Sequence, residues 1–90
     1  MLKIRYHNSF KKDYKRIKKR GRDTDKLKYV VEQLSNEKSL EDKYRDHELT
    51  GNYKGCRECH IESDWLLIYK VENDELVLVL SRTGIHSDLF

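Results

Sequence analysis

The chain is 90 residues long, enough for one domain and one small core, and its longest apolar runs, Trp65–Tyr69 and Leu76–Leu80, are five residues each, against the roughly 20 that a membrane-spanning helix needs. Charged residues make up 39% and hydrophobic ones 37%, but the apolar residues fall in periodic blocks that can bury themselves, which argues against disorder. The net charge of +3 hides an asymmetry: residues 1–22 hold ten Lys/Arg and one acid, Asp13, while the remainder is net acidic, and so concentrated a basic front suits contact with a polyanion.

From the N-terminus, Leu2, Ile4 and Tyr6 alternate with Lys3, Arg5 and His7, the period of a strand. Lys3 and Arg5 also break any secretory pattern. The expectation is therefore a cytoplasmic protein in which Cys56 and Cys59 are free thiols. Asn8-Ser9 predicts an N-cap, followed by Phe10, Tyr14 and Ile17 on one helical stripe, with Gly21 as the stop. The other face of this helix carries Lys11, Lys15, Lys18 and Lys19. Asp23 or Thr24 predicts the cap of a second helix, whose Leu27, Val30, Val31 and Leu34 form an i, i+3, i+4, i+7 stripe. So short a joint predicts an antiparallel helix pair.

Residues 37–51 show no period, a length of connection more often functional than idle. Three strand-like blocks follow, Tyr53–Ile61, Trp65–Glu72 and Glu75–Arg82, parted by Glu62-Ser63-Asp64 and Asn73-Asp74, which suit tight antiparallel turns. The order β-α-α-β-β-β, with a tail Thr83–Phe90, predicts one α+β domain over residues 1–90: a mostly antiparallel sheet packed on a two-helix hairpin.

Candidate chemistry gathers in the second half. His47 lies in the long loop, His60 at a strand end and His86 in the tail; Asp64 follows His60 by four residues and Arg82 precedes His86 by four. His7, beside the first helix, reads as structural. No nucleophile elbow and no phosphate-binding glycine loop is present. Two proton-transfer groups and a cation are the minimum for cutting RNA, because the nucleophile is the ribose 2′-hydroxyl of the substrate. The run Cys56-Arg57-Glu58-Cys59-His60 matches the C-x-x-C-H haem pattern. In a strand, however, thiols three apart point to opposite faces and cannot grip one porphyrin or one zinc ion. The expectation is no cofactor and no metal.

The pieces Asp46-His47-Glu48-Leu49-Thr50-Gly51, Arg57-Glu58-Cys59-His60-Ile61, Asp64-Trp65-Leu66-Leu67-Ile68-Tyr69 and Arg82-Thr83-Gly84-Ile85-His86-Ser87-Asp88-Leu89-Phe90, four in register, resemble the YafQ branch of the RelE toxin superfamily. The resemblance implies a microbial-RNase-like fold, mRNA cleavage in the ribosomal A site, and an antitoxin that covers the active site and alone connects the protein to operator DNA. It places His47, His60, Asp64, Arg82, His86 and Phe90 at active-site positions. His86 is then the leading proton-transfer residue, paired with Asp64, His47 or His60. Arg82 holds the scissile phosphate, and Phe90 stacks on or wedges beside a base. Lys54 and Trp65 are further substrate contacts, and Lys11, Lys15, Lys18 and Lys19 grip RNA. Ser63, Cys56 and Ile85 depart from the residues usual in that family without removing a proton-transfer group. The competing reading is a basic module that binds nucleic acid or antitoxin, acting in transcriptional autoregulation without cutting.

Overall fold

A computed structural model describes residues 1–90. The elements run β1 (Lys3–Tyr6), α1 (Asn8–Lys19), α2 (Thr24–Ser35), a one-turn 3-10 helix (Asp42–Tyr44), β2 (His47–Glu48), a second such turn (Gly51–Tyr53), β3 (Arg57–Glu62), β4 (Trp65–Glu72), β5 (Val77–Gly84) and α3 (His86–Leu89). The five strands form one sheet in the order β1-β5-β4-β3-β2. All pairings are antiparallel except that of β1 with β5, which is parallel and runs from Lys3 opposite Val77 to Tyr6 opposite Leu80.

The helix pair covers one face. Phe10 and Ile17 of α1, with Leu27, Val30 and Leu34 of α2, pack on Cys59, Ile61, Trp65, Leu67, Tyr69, Leu78 and Leu80. A smaller cluster, Leu66, Ile68 and Leu89, backed by Leu49, Tyr53 and Cys56, covers part of the other face. The central strand β4 is thus buried on both sides, so Trp65–Tyr69 is unbroken apolar sequence rather than an alternation. Cys59 belongs to the first cluster and Cys56 to the second, the separation expected for them.

Both helices end in the same cap. Arg22 N–H donates to Ile17 O and Gly21 N–H to Lys18 O, with Gly21 at φ 78°; Lys38 N–H donates to Gln33 O and Glu37 N–H to Leu34 O, with Glu37 at φ 59°. This pattern satisfies carbonyls that a helix end leaves free. At the start of α2 the Asp23 carboxylate accepts from Asp25 N–H at 3.0 Å. The predicted cap of α1 differs. His7 is the cap residue, no side chain closes that end, and Ser9 instead donates to Ser81 O at 2.9 Å. Ser9 serves tertiary structure there because β1 stops at Tyr6, opposite Leu80, while β5 continues. Residues of α1 take over the exposed edge of β5 that a longer β1 would have paired.

The unperiodic stretch after α2 contains β2, whose His47 and Glu48 pair with Glu58 and Arg57. The second predicted strand, Tyr53–Ile61, is β3 and starts at Arg57, because Gly51–Tyr53 turns as a 3-10 helix. The tail folds as well: β5 runs on through Gly84, and α3 follows.

Candidate active site

The site is built on the sheet face away from the two long helices. Directly opposed residues in neighbouring strands share a face. One row reads His47, Glu58, Ile68, Arg82 across β2, β3, β4 and β5; the next reads His60, Leu66, Gly84. Strands lie about 4.8 Å apart, so the second row spans about 10 Å from His60 to the strand end that launches α3. Arg82 reaches this face through a break in register. Between Ile68 and Tyr69 the β5 partner skips from Arg82 to Leu80, leaving Ser81 as an extra residue. Leu78 and Leu80 point to the helix-side core, and without the extra residue Arg82 would follow them.

His47 and His60 lie side by side, with ring centroids 6.5 Å apart. His47 Nδ1 lies 2.6 Å from Arg45 O, a carbonyl that can only accept, so Nδ1 carries the hydrogen and Nε2 is free for proton transfer. His60 Nδ1 lies 3.3 Å from Ser63 O in the β3–β4 turn, and its Nε2 lies 3.5 Å from the buried Glu58 carboxylate. An imidazolium at His60 would find an acceptor on each side.

At the other end of the row, α3 presents an aromatic stack. The His86 and Phe90 rings are 4.8 Å apart at 25°, and Tyr53 meets Phe90 edge-on at 5.3 Å. Tyr53 Oη donates to Leu89 O at 3.2 Å. His86 is exposed and Phe90 is 54% exposed, so both are open to a ligand. Arg82 is half-buried; its Nε and Nη2 donate to Asp13 Oδ2 and Oδ1 at 2.6 and 3.1 Å. The bond to Asp13 holds the guanidinium firmly in its charged form. Asp88 accepts from Arg20 Nη1 at 2.9 Å and lies 3.9 Å from Arg16 Nη1, so α1 pins α3 by charge.

Asp64 sits at the tip of the β3–β4 turn, with both carboxylate oxygens on Arg22, at 3.1 and 2.8 Å. The Arg22 hydrogen bonds hold its carboxyl below the usual aspartate range, which makes it a weak base at neutral pH. Glu62 shares Arg22, and with Lys26 at 2.8 Å it too is held low.

Of the predicted contacts, Trp65 is displaced. It is fully buried in the helix-side core, its Nε1 donating to Thr83 Oγ1 at 2.9 Å, and no substrate can touch it. Burial follows from β4 being the central strand, covered on both faces. Lys54 is exposed, just after the Tyr53 turn. Lys11, Lys15 and Lys18 line a separate groove of about 980 Å³ with Ile4, Tyr6, Phe10, Tyr14, Leu27 and Val31, a lining that includes none of the site residues. Lys19 is exposed in the last turn of α1.

Sequence reasoning missed Asp13, Glu58, Tyr53 and Asp46. Asp46 accepts from Tyr69 Oη and from Arg57 Nε, at 2.5 and 3.3 Å, and so ties the loop before His47 to the sheet. The single acid in a basic segment was the available signal for Asp13. No group of three or more His, Cys, Asp or Glu side chains is arranged to hold a metal ion.

Comparison with known proteins agrees with the fold. The family model for the YafQ bacterial toxin of type II toxin–antitoxin systems matches residues 2–90. The mRNA interferase toxin YafQ of Escherichia coli K12 is 46% identical over 88 residues, 97% of this chain and 94% of that one. Among solved structures, a metal-bound toxin from Helicobacter pylori superposes with a TM-score of 0.95 at 44% identity, covering 100% of both chains. YafQ in the E. coli DinJ–YafQ toxin–antitoxin complex superposes at 0.88 with 43% identity, covering 99% of this chain and 97% of that one. The chain belongs to the YafQ family of toxins from bacterial type II toxin–antitoxin systems.

Proposed function

We propose that this toxin is an endoribonuclease that cuts mRNA in the ribosomal A site by attack of the ribose 2′-hydroxyl, without a metal ion, and so stops translation. The mRNA interferase activity is the one its E. coli relative is named for. The observation that carries the reading is the pair of rows on the sheet face away from the long helices: His47 and His60 on β2 and β3, Arg82 on β5 with the His86–Phe90 stack beyond it. RNA crossing the outer surface of the Leu66–Ile68–Leu89 cluster would run from the histidine pair toward Arg82 and the His86–Phe90 stack.

The reaction needs little else. One imidazole takes the 2′-hydroxyl proton, O2′ bonds to phosphorus, the P–O5′ bond breaks, and a second group protonates O5′, leaving a 2′,3′-cyclic phosphate and a free 5′-hydroxyl. His86, exposed and adjacent to the stacking ring, is one proton-transfer group; His60 or His47 is the other. Arg82 offers guanidinium N–H donors to the phosphoryl oxygens as charge builds there. Asp64 acts as a fixed anion beside Arg22 that shapes the field of the turn, since the low-lying carboxyl does not take up a proton near pH 7. Phe90 receives a base by stacking, and Lys54 and Lys19 add charge toward RNA.

An antitoxin is the partner, as DinJ is for E. coli YafQ. The groove between β1, α1 and α2 supports this, because apolar Ile4, Tyr6, Phe10 and Tyr14 under a rim in which Lys11, Lys15, Lys18 and Lys28 outnumber Asp25 and Glu32 suit an amphipathic segment with acidic residues. Operator DNA is then met only through that partner.

The test is mapping of cuts on a translated message with His86→Ala, His60→Ala and Arg82→Ala, in buffer with and without a chelator. Each variant should lose about 10²–10⁴ in rate with binding to ribosomes kept, and a chelator tolerated by the ribosomes should not slow the unaltered toxin. Full cleavage by all three variants would refute the mechanism. No cleavage by the unaltered protein, with antitoxin binding kept, would favour the non-catalytic reading.

A further inference from the structure

We propose that Asp13 is a positioning residue for cleavage: its buried carboxylate fixes the Arg82 guanidinium by one edge so that the remaining donors face the cleft. This rests on the reading of Arg82 as the phosphate-holding cation. Asp13 stands in the middle of α1 and is 2% exposed, a placement that a lone carboxylate tolerates only when every oxygen is paired. Three donors do so: Arg82 Nε at 2.6 Å, Arg82 Nη2 at 3.1 Å and the backbone N–H of Thr83 at 3.2 Å.

The last of these explains the position. Thr83 lies on the stretch of β5 that β1 does not reach, and Asp13 takes the N–H left free on that edge. The same carboxylate therefore locks the strand and the side chain that leaves it one residue earlier. A guanidinium has five N–H donors in a rigid plane. Side-on pairing uses one on Nε and one on Nη2, which leaves both on Nη1 and the second on Nη2. An arginine held so is oriented before substrate arrives, and orientation supplied in advance lowers the barrier rather than merely strengthening binding.

The carboxylate also connects to the other half of the site. Arg16, one turn along α1, lies 3.7 Å from Asp13 Oδ1 and 3.9 Å from Asp88 Oδ2, and Arg20 bonds Asp88. A single line of charges thus runs from Arg82 through Asp13 and Arg16 to the turn bearing His86 and Phe90. Asparagine in place of Asp13 keeps the volume but presents an amide N–H₂ to a group of donors, so the pairing cannot be reproduced.

The experiment compares Asp13→Asn, Arg82→Ala and the double variant in single-turnover cleavage of a translated message, with thermal melting of each protein alongside. Asp13→Asn should lower the saturating rate by about tenfold or more while the half-saturating concentration stays unchanged. The double variant should be no slower than Arg82→Ala alone, because the two act as one unit. If Arg82→Ala cuts at the unaltered rate, the phosphate-holding reading falls and takes this proposal with it. If Arg82→Ala is slow and Asp13→Asn is not, only the Asp13 proposal falls. It falls equally if the double variant loses the Asp13 factor again on top of the Arg82 loss. Should Asp13→Asn fail to fold, 15N NMR of the unaltered protein decides: a slowly exchanging Arg82 Nε–H supports the buried pairing, and exchange as fast as that of free arginine overturns it.

Discussion

Individual side chains divide by whether their partners are near in sequence. His47, His60, Arg82 and His86 were readable as candidates because histidine at strand ends and a basic group nearby are local signals. Asp13 stood out only as the one acid of a basic segment, since its partners Arg82 and Thr83 are about seventy residues away and its burial leaves no local sign. Trp65 was ambiguous for the same reason: parity in a strand tells which face, not what covers it. Its burial makes a clear prediction. Trp65→Phe removes the donor to Thr83 and leaves a small void, which should cost about 1–3 kcal/mol in urea unfolding while the cleavage rate per folded molecule holds. A second prediction concerns the thiols. Burial pushes the Cys59 thiol well above its ordinary range, whereas Cys56 is only half-buried. Iodoacetamide at pH 8 should therefore modify one cysteine in the native protein and both in denaturant; rapid loss of both thiols from the folded state would contradict the packing.

The elements were legible where the apolar signal was strong, as a stripe in the two helices and as an unbroken run in β4 and β5, and illegible where structure is made by long-range pairing. The strand β2 is two residues long and exists only because β3 lies beside it. The one-residue slip that turns Arg82 outward leaves no mark in the letters, since Val77–Leu80 is apolar at every position. The caps carry a prediction of their own. Gly21 suits its left-handed backbone, while Glu37 adopts the same conformation with a Cβ to accommodate. Glu37→Gly should stabilise the protein by about 0.5–1 kcal/mol, and Gly21→Ala should destabilise it by a similar amount, both measurable by chemical unfolding. The β3–β4 turn adds a pH dependence. Glu62 and Asp64 are held below their ordinary carboxyl range by Arg22 and Lys26. A lowered folded pKa gives stability that is present above the unfolded value near 4 and is lost as pH falls through the lower folded one. The melting temperature should drop below about pH 4, and Arg22→Gln should flatten that limb; an unchanged limb would show that these pairs contribute nothing.

Over the whole molecule, the basic front foreseen from composition resolves into two populations. Arg16, Arg20 and Arg22 turn to acids of the same chain, whereas Lys11, Lys15 and Lys18 stand along the apolar groove. Their separation in space predicts a separation in function. Charge reversal at Lys11 and Lys15, or Tyr6→Asp in the groove, should weaken antitoxin binding by about tenfold or more and leave cleavage within about twofold. Titration calorimetry with the purified antitoxin and a cleavage assay check the two halves. Equal loss of both would mean that one surface serves both tasks. The fold class was foreseen correctly from the order of the elements, because helices that share a stripe and strands parted by tight turns have few ways to pack. The division of the lysines was not, because a helical wheel shows direction but not neighbours.

The parallel pairing of β1 with β5 also governs how the molecule comes into being. Lys3 must wait for Val77, and Ser9 and Asp13 for Ser81–Thr83, so this early segment is without its partner until residues 77–83 have left the ribosome. Contacts of that span close late and together. A nascent chain arrested before residue 77 should therefore show loose helices and no sheet closure, and the cutting face should assemble in one step once residues 77–83 are free to pair.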